Sequence, residues 1–108
     1  MERGGKRVFR RESDYQEYLI KKIQNEVLPG SIVIDNDGSY IQGWPDLTIL
    51  YGPYWAALEC KKSLDEPFRP NQEYYIDICN RMAFGSMICP EIEEEVLNEL
   101  QHALEPNW

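Results

Sequence analysis

The stretch Gly43 to Lys62, GWPDLTILYGPYWAALECKK, decides the fold. Two runs rich in aliphatic and aromatic residues flank Gly52-Pro53, a turn pair, and this pattern predicts a β-hairpin. Strand side chains alternate between the two faces of a sheet. One face then carries Leu47, Ile49, Tyr51, Tyr54, Ala56, Leu58 and Cys60, an apolar set suited to a core. The other carries Trp44, Asp46, Thr48, Leu50, Trp55, Ala57, Glu59 and Lys61. A turn centred between Gly52 and Pro53 sets Asp46 opposite Glu59, where cross-strand Cβ atoms are about 4.5–5.5 Å apart. The only acids and the first lysine of the stretch therefore share its non-core face.

That grouping has a chemistry. Hard carboxylate oxygens bind Mg²⁺, which keeps its remaining positions for water and phosphate oxygens. A bound Mg²⁺ or Mn²⁺ acidifies water and offsets the charge that develops during phosphodiester hydrolysis. A lysine two residues beyond a carboxylate points to the same side and can act on the phosphate as a point charge. Two adjacent carboxylates repel, so without a cation one of them should hold its proton more tightly. Glu-x-Lys alone is also a common surface ion-pair pattern, and Pro-Asp alone a common turn dipeptide. Their coincidence on paired strands gives the reading its specificity.

Working outward, Ser13 and Gln16 have capping-box spacing, and Tyr15, Leu19, Ile23 and Val27 recur at helical intervals, predicting a first helix that ends at Pro29-Gly30. Ser31–Asp35 reads as a short strand closed by Asp37-Gly38. Beyond the hairpin, 63–69 reads as loop. Asn71–Phe84 then forms a helix with Tyr74, Tyr75, Ile78, Cys79, Met82 and Ala83 as its buried stripe and Gly85 as its terminator. Ser86–Cys89 is a short apolar strand. Pro90 opens a last helix, and the acidic run Glu91–Glu95 suits the positive end of its dipole as a solvated helix start. The expected order, helix, three strands, helix, strand, helix, is an α/β domain with a central mixed sheet flanked by helices. It occupies 13–108, after a basic N-terminal arm over 1–12.

Composition bounds what this domain can do. The chain has 108 residues, 43% of them hydrophobic, enough for one modest core. No stretch approaches the roughly 20 apolar residues of a membrane span, and the charged start MERGGKRVFRRES lacks the apolar run of a signal peptide, so a cytoplasmic protein with no membrane partner is expected. Cys60, Cys79 and Cys89 have no metal-site spacing and read as buried thiols; the single His102 has no partners for a zinc site. The net charge of −8 opposes nonspecific binding to nucleic acid. The cations, however, crowd the first quarter, with Lys61, Lys62, Arg69 and Arg81 the only others. Arg7, Arg10, Arg11, Lys62 and Arg69 are the candidate DNA-contacting residues, with an acidic back left in solvent.

Gly43-Trp44-Pro45-Asp46 followed by Glu59-Cys60-Lys61 resembles the PD-(D/E)xK nuclease signature. The likeness extends to the virus-type replication-repair nuclease (VRR-NUC) group. Glu17, in EYLIKKI, fits a helix-A glutamate, Pro70-Asn71-Gln72 fits a Pro-x-Gln element, and Gly85 fits a glycine before the next strand. The resemblance spans Glu17 to Leu100. It implies a restriction-endonuclease-like core and Mg²⁺ (or Mn²⁺) held by Asp46, Glu59 and the main-chain carbonyl of Cys60, with Glu17 contributing through water. Lys61 would be the catalytic lysine, and Gln72 would contact the lysine, the scissile strand or a water at the metal. Small stand-alone members are typically phage-encoded, which would put this chain in a host cytoplasm. They imply a homodimer acting on branched DNA such as Holliday junctions; two sites related by a two-fold axis can cut symmetric strands. Ser39-Tyr40-Ile41-Gln42 lacks the cations that usually precede the Gly-x-Pro-Asp motif, which shifts the substrate grip toward the N-terminal arginines. The alternatives are a non-catalytic nucleic-acid- or protein-binding module on the same fold, and a sequence-specific restriction-type enzyme, for which the chain is short.

Overall fold

In the computed structural model, which describes residues 8–36 and 40–105, the hairpin forms in the expected register. Strand β2 (Leu47–Tyr51) pairs antiparallel with β3 (Tyr54–Cys60), matching Leu47 with Leu58 and Tyr51 with Tyr54. Gly52 sits at φ 59° in the two-residue turn, the positive φ that primed hairpin turns demand at their first central position. Strand β1 (Ile32–Asp35) joins the open side of β2 antiparallel, and β4 (Gly85–Ile88) joins β3 in parallel. The result is a four-stranded mixed sheet in the order β1-β2-β3-β4.

Three helices complete the chain: α1 (Glu12–Lys22) before β1, α2 (Gln72–Met82) between β3 and β4, and α3 (Glu93–Leu104) after β4. Two parallel neighbours need a crossover, and α2 supplies it. The core lies on the apolar hairpin face. Tyr15 and Leu19 from α1 and Ile23 just after it meet Leu47, Ile49, Ala56, Leu58 and Cys60 from the sheet, and Val96, Leu97, Leu100 and Leu104 from α3. The opposite face is covered by α2 only over β3 and β4. Gly85 makes this contact possible: a Cβ there would lie 2.6 Å from the carbonyl oxygen of Ile76 and 2.8 Å from the amide nitrogen of Asn80. Ala57, Glu59 and Lys61 are therefore buried although they point away from the main core, whereas Leu50 and Ile32 on the same side remain exposed.

Several local expectations change. The Ser13–Gln16 capping box does not form; α1 starts one residue earlier, after an extended Arg11, and no side chain caps it. Arg11 instead pairs with Asp14 at 3.1 Å. Phe9, expected within the N-terminal arm, packs its ring 5.0 Å from Tyr15 and 5.3 Å from Tyr18. Past Lys22 the helix widens into a π-turn over Ile23–Val27, closed by the Leu28 amide on the Ile23 carbonyl. Helix α2 stops at Met82, and Gly85 belongs to β4. Tyr74 and Met82, expected in the stripe of α2, are 60% and 62% exposed, because only the edge of the helix that holds Gln72 and Cys79 is buried. Pro90 opens a 3₁₀ turn before α3 rather than α3 itself. Cys60, Cys79 and Cys89 are buried thiols. Among the described residues no helix is long and apolar enough to cross a membrane. The Asp37-Gly38 turn and Arg7 lie outside the described residues.

Candidate active site

The hairpin register carries Asp46 and Glu59 to neighbouring positions at the open end of β2 and β3. Asp46 lies one residue before β2, and its backbone is pinned from β1: the Asn36 amide donates to the Asp46 carbonyl at 2.8 Å, and Asn36 Nδ2 to the Pro45 carbonyl at 2.9 Å. Its Oδ2 accepts the Cys60 amide at 2.9 Å, which holds the carboxylate against the end of β3. Gly43, at φ 91°, lets this loop touch the start of α2, since a Cβ there would stand 2.6 Å from Cβ of Asn71. Asn71 itself adopts a left-handed conformation, φ 72°, to open α2. The Gly-Trp-Pro-Asp and Pro-Asn-Gln segments, far apart in the chain, thus meet by backbone contact.

Gln72 links the remaining residues. Its Nε2 donates to Glu59 Oε2 at 2.8 Å, while its Oε1 accepts from Lys61 Nζ at 2.9 Å and from the Arg69 amide at 2.7 Å. Lys61 is only 1% exposed. Its ammonium also donates to the Pro67 carbonyl at 3.2 Å and lies 5.6 Å above the ring of Phe68. The loop 62–69 thus wraps the lysine, and Glu66 closes it by accepting the Lys62 amide at 2.9 Å.

The electrostatics are unbalanced. Glu59 is 1% exposed, and its Oε1 meets no N–H or O–H donor, so its only hydrogen bond is a proton shared with the Asp46 carboxyl. Burial, and next the neighbouring Asp46, push its carboxyl up to about 8, against which the Lys61 charge pulls downward. Asp46 is also raised, mainly by burial, although the Cys60 amide and Lys61 oppose the shift. Repulsion from Asp46 contributes to the upward shift of Glu59, and burial is the larger cause.

A third carboxylate joins from α1, and it is not Glu17. Glu17 is exposed. Glu12, five residues and about 140° around the helix from it, interacts with Asp46, Lys61 and Glu66. Burial, then Glu66 and Asp46, raise its carboxyl to about 7, and its Oε2 is buried without a partner. Glu12 and Glu66 went unnoticed in the sequence. A helix at the edge of a site offers a glutamate on each side, and only the packing of Tyr15 and Leu19 shows which side faces the sheet.

The Glu59 Oε1 is buried with no N–H or O–H donor and has only the Asp46 carboxyl beside it, which fits a cation shared by the two carboxylates. Asp46 and Glu59, with the adjoining main-chain carbonyl of Cys60, are the residues that would hold it. Among the described residues no group of three or more His, Cys, Asp or Glu is placed to hold a metal ion by side chains alone. Of the candidate DNA-contacting residues, Arg10, Arg11, Lys62 and Arg69 are all exposed, and the last three adjoin Glu12, Lys61 and the Gln72 segment in the chain. His102 is exposed and distant in sequence from the cluster. No protein-family model, curated protein or solved structure matches the chain.

Proposed function

We propose that this chain is a divalent-metal-dependent DNA endonuclease of the PD-(D/E)xK type, with a restriction-endonuclease-like core and VRR-NUC-like motifs. The observation that carries the reading is the buried linkage of Lys61 to Glu59 through Gln72, with the Asp46 carboxylate held beside Glu59 by the Cys60 amide. These are the residues that the motif resemblance singled out, apart from Glu17. The element order, α1, β1–β3, α2, β4, α3, with a four-stranded mixed sheet, is compatible with the core that the resemblance implies.

In this reading Asp46 and Glu59 hold Mg²⁺ or Mn²⁺, which when bound acidifies water and offsets negative charge on the phosphate. Gln72 orients Glu59 through its Nε2 and Lys61 through its Oε1, so the carboxylate and the ammonium are positioned before substrate arrives. Lys61 supplies a positive charge to the scissile phosphate from a site shielded from water, where electrostatic stabilisation is strong. Glu12, whose carboxyl is raised by burial and by the neighbouring Glu66 and Asp46, is the candidate to accept a proton during hydrolysis. Arg10, Arg11, Lys62 and Arg69 offer the sugar–phosphate backbone the cations that the chain's net charge of −8 otherwise denies it.

Branched DNA cut by a homodimer is the substrate and assembly that the motifs favour. The test is cleavage of duplex, flap, splayed and four-way-junction DNA with Mg²⁺, with chelator, and with Lys61→Ala. Metal-dependent cutting that Lys61→Ala abolishes is the expected result. Absence of cutting on every substrate, with intact fold by circular dichroism, would defeat the proposal and favour a non-catalytic binding module.

A further inference from the structure

A groove opens on the outer side of α2, next to Lys61. Its volume is about 500 Å³, within the range of small-molecule sites. Phe68, Tyr74, Glu73, Asp77 and Asn80 line it, with Gly85 of β4 at its floor. Phe68 belongs to both places, walling the groove while its ring lies 5.6 Å from Lys61 Nζ. Tyr74 meets Tyr75 edge-on at 5.0 Å, and Tyr75 meets Trp44 at 5.6 Å. A row of aromatic rings therefore runs from the Gly-Trp-Pro-Asp segment to the groove.

The rim has a defined hydrogen-bonding character. Glu73 and Asp77 present acceptors, and Asp77 is steadied by Arg81 at 2.7 Å. Asn80 Oδ1 accepts the Gly85 amide at 3.2 Å, which leaves its NH₂ to donate outward. Among the described residues that line the groove none is Lys or Arg, and two carboxylates repel phosphate. Aromatic walls with an acceptor-rich rim instead suit a flat ring that presents N–H groups on its edge.

We infer that this groove binds an unpaired nucleobase beside the scissile phosphodiester, and guanine best. Guanine N1–H and N2–H₂ offer two adjacent donors to one carboxylate, and its O6 can accept from Asn80. Thymine carries carbonyl oxygens on both sides of its one N–H and meets the carboxylates unfavourably. Bases removed from a stack are read in this manner, by aromatic stacking and by hydrogen bonds to the Watson–Crick edge. The position beside the cut rests on the nuclease reading; the base preference does not.

The experiment uses the full chain and fluorescein-labelled pentathymidine, compared with the same oligomer carrying one central guanine, in chelator and followed by anisotropy. The guanine oligomer should bind about tenfold more tightly. The double variant Glu73→Gln/Asp77→Asn should reduce that preference to about twofold or less, while Mg²⁺-dependent cleavage of a substrate without unpaired guanine is unchanged. Phe68→Leu should weaken both oligomers about tenfold. Equal affinity for the two oligomers, or no binding of either, overturns the inference even if cleavage is robust. A guanine preference in a protein that cuts nothing sustains the groove and defeats the nuclease. Competition by a Lys- and Arg-rich peptide, sensitive to the double variant and without guanine preference, overturns the inference and assigns the groove to a basic protein.

Discussion

Glu93 and Glu59 are both largely withdrawn from water, and their surroundings are opposite. Glu93, at the start of α3, accepts the hydroxyl of Tyr15 at 3.1 Å, that of Tyr18 at 2.7 Å and the ammonium of Lys22 at 3.1 Å. Both its oxygens are satisfied, and three groups of α1 are tied to α3 through one side chain. Glu59 has one oxygen bound by Gln72 and the other facing no N–H or O–H donor, only the Asp46 carboxyl, within the field of Glu12. A buried carboxylate with full partners joins two helices. One left without such partners weakens the fold, and such sites concentrate where a protein performs chemistry. In the proposed nuclease reading, the contrast separates an acidic residue that serves architecture from one that serves the site, a distinction that acidity alone does not make.

The widest gap between the two sites should appear in catalysis. Asp46→Asn and Lys61→Ala are each expected to lower the Mg²⁺-dependent turnover by about 10³-fold, while Glu93→Gln leaves turnover per folded molecule within about twofold. Comparable losses in all three variants would erase the contrast. A smaller difference should separate the two glutamates of α1. Glu12→Gln is expected to lower turnover by at least about tenfold, and Glu17→Gln to leave it unchanged. Steady-state rates on one junction substrate check this, and the reverse ranking would restore Glu17 to the site.

Stability should change in the opposite sense at the two sites. Glu93→Gln should destabilise the protein by about 2 kcal/mol, because it removes a charged acceptor from three donors. Above the pH at which Glu59 loses its proton, Glu59→Gln should stabilise the metal-free protein by about 1 kcal/mol by removing the buried charge. Urea unfolding in chelator measures both, and a loss of stability in Glu59→Gln would contradict the reading of that carboxylate as strained.

The pH dependence follows with a definite sign. Folding raises Glu59 to about 8 and Glu12 to about 7 from an ordinary value of 4.5, so between these values the folded state binds more protons than the unfolded one. The metal-free protein should therefore lose stability as pH rises from about 5 to 8, on the order of 2 kcal/mol once solvent screening is allowed for. Saturating Mg²⁺ or Glu59→Gln should flatten the profile. A urea midpoint that stays level or climbs over this range in chelator would show that these carboxylates are not held out of their ordinary ionisation.

Much of this arrangement could be read along the chain. The hairpin was legible because its determinants are local: a two-residue turn fixes which residues oppose each other, and alternation fixes which face they occupy. Asp46, Glu59, Lys61 and the inward Cys60 follow from those two rules. Gln72 was legible only as a motif, and its double hydrogen bond to Lys61 and Glu59 arises from the close approach of Gly43 to Asn71. The stripe on α2 was misjudged at Tyr74 and Met82 because periodicity shows that a helix has an apolar side, not how much of that side another element covers. The same limit hid Glu12, which sits beside the expected capping residue and outside any pattern of spacing.

What the sequence determined by itself is thus a strand register and the identity of two carboxylates and a lysine on one face, since neighbouring strands and a tight turn leave little choice. What only the tertiary structure decided is that α2 buries this face, that α1 presents Glu12 and not Glu17 to it, and that Glu59 is left with an oxygen facing no N–H or O–H donor. Those outcomes depend on how helices rest on the sheet, and that is set by contacts between residues far apart in the chain.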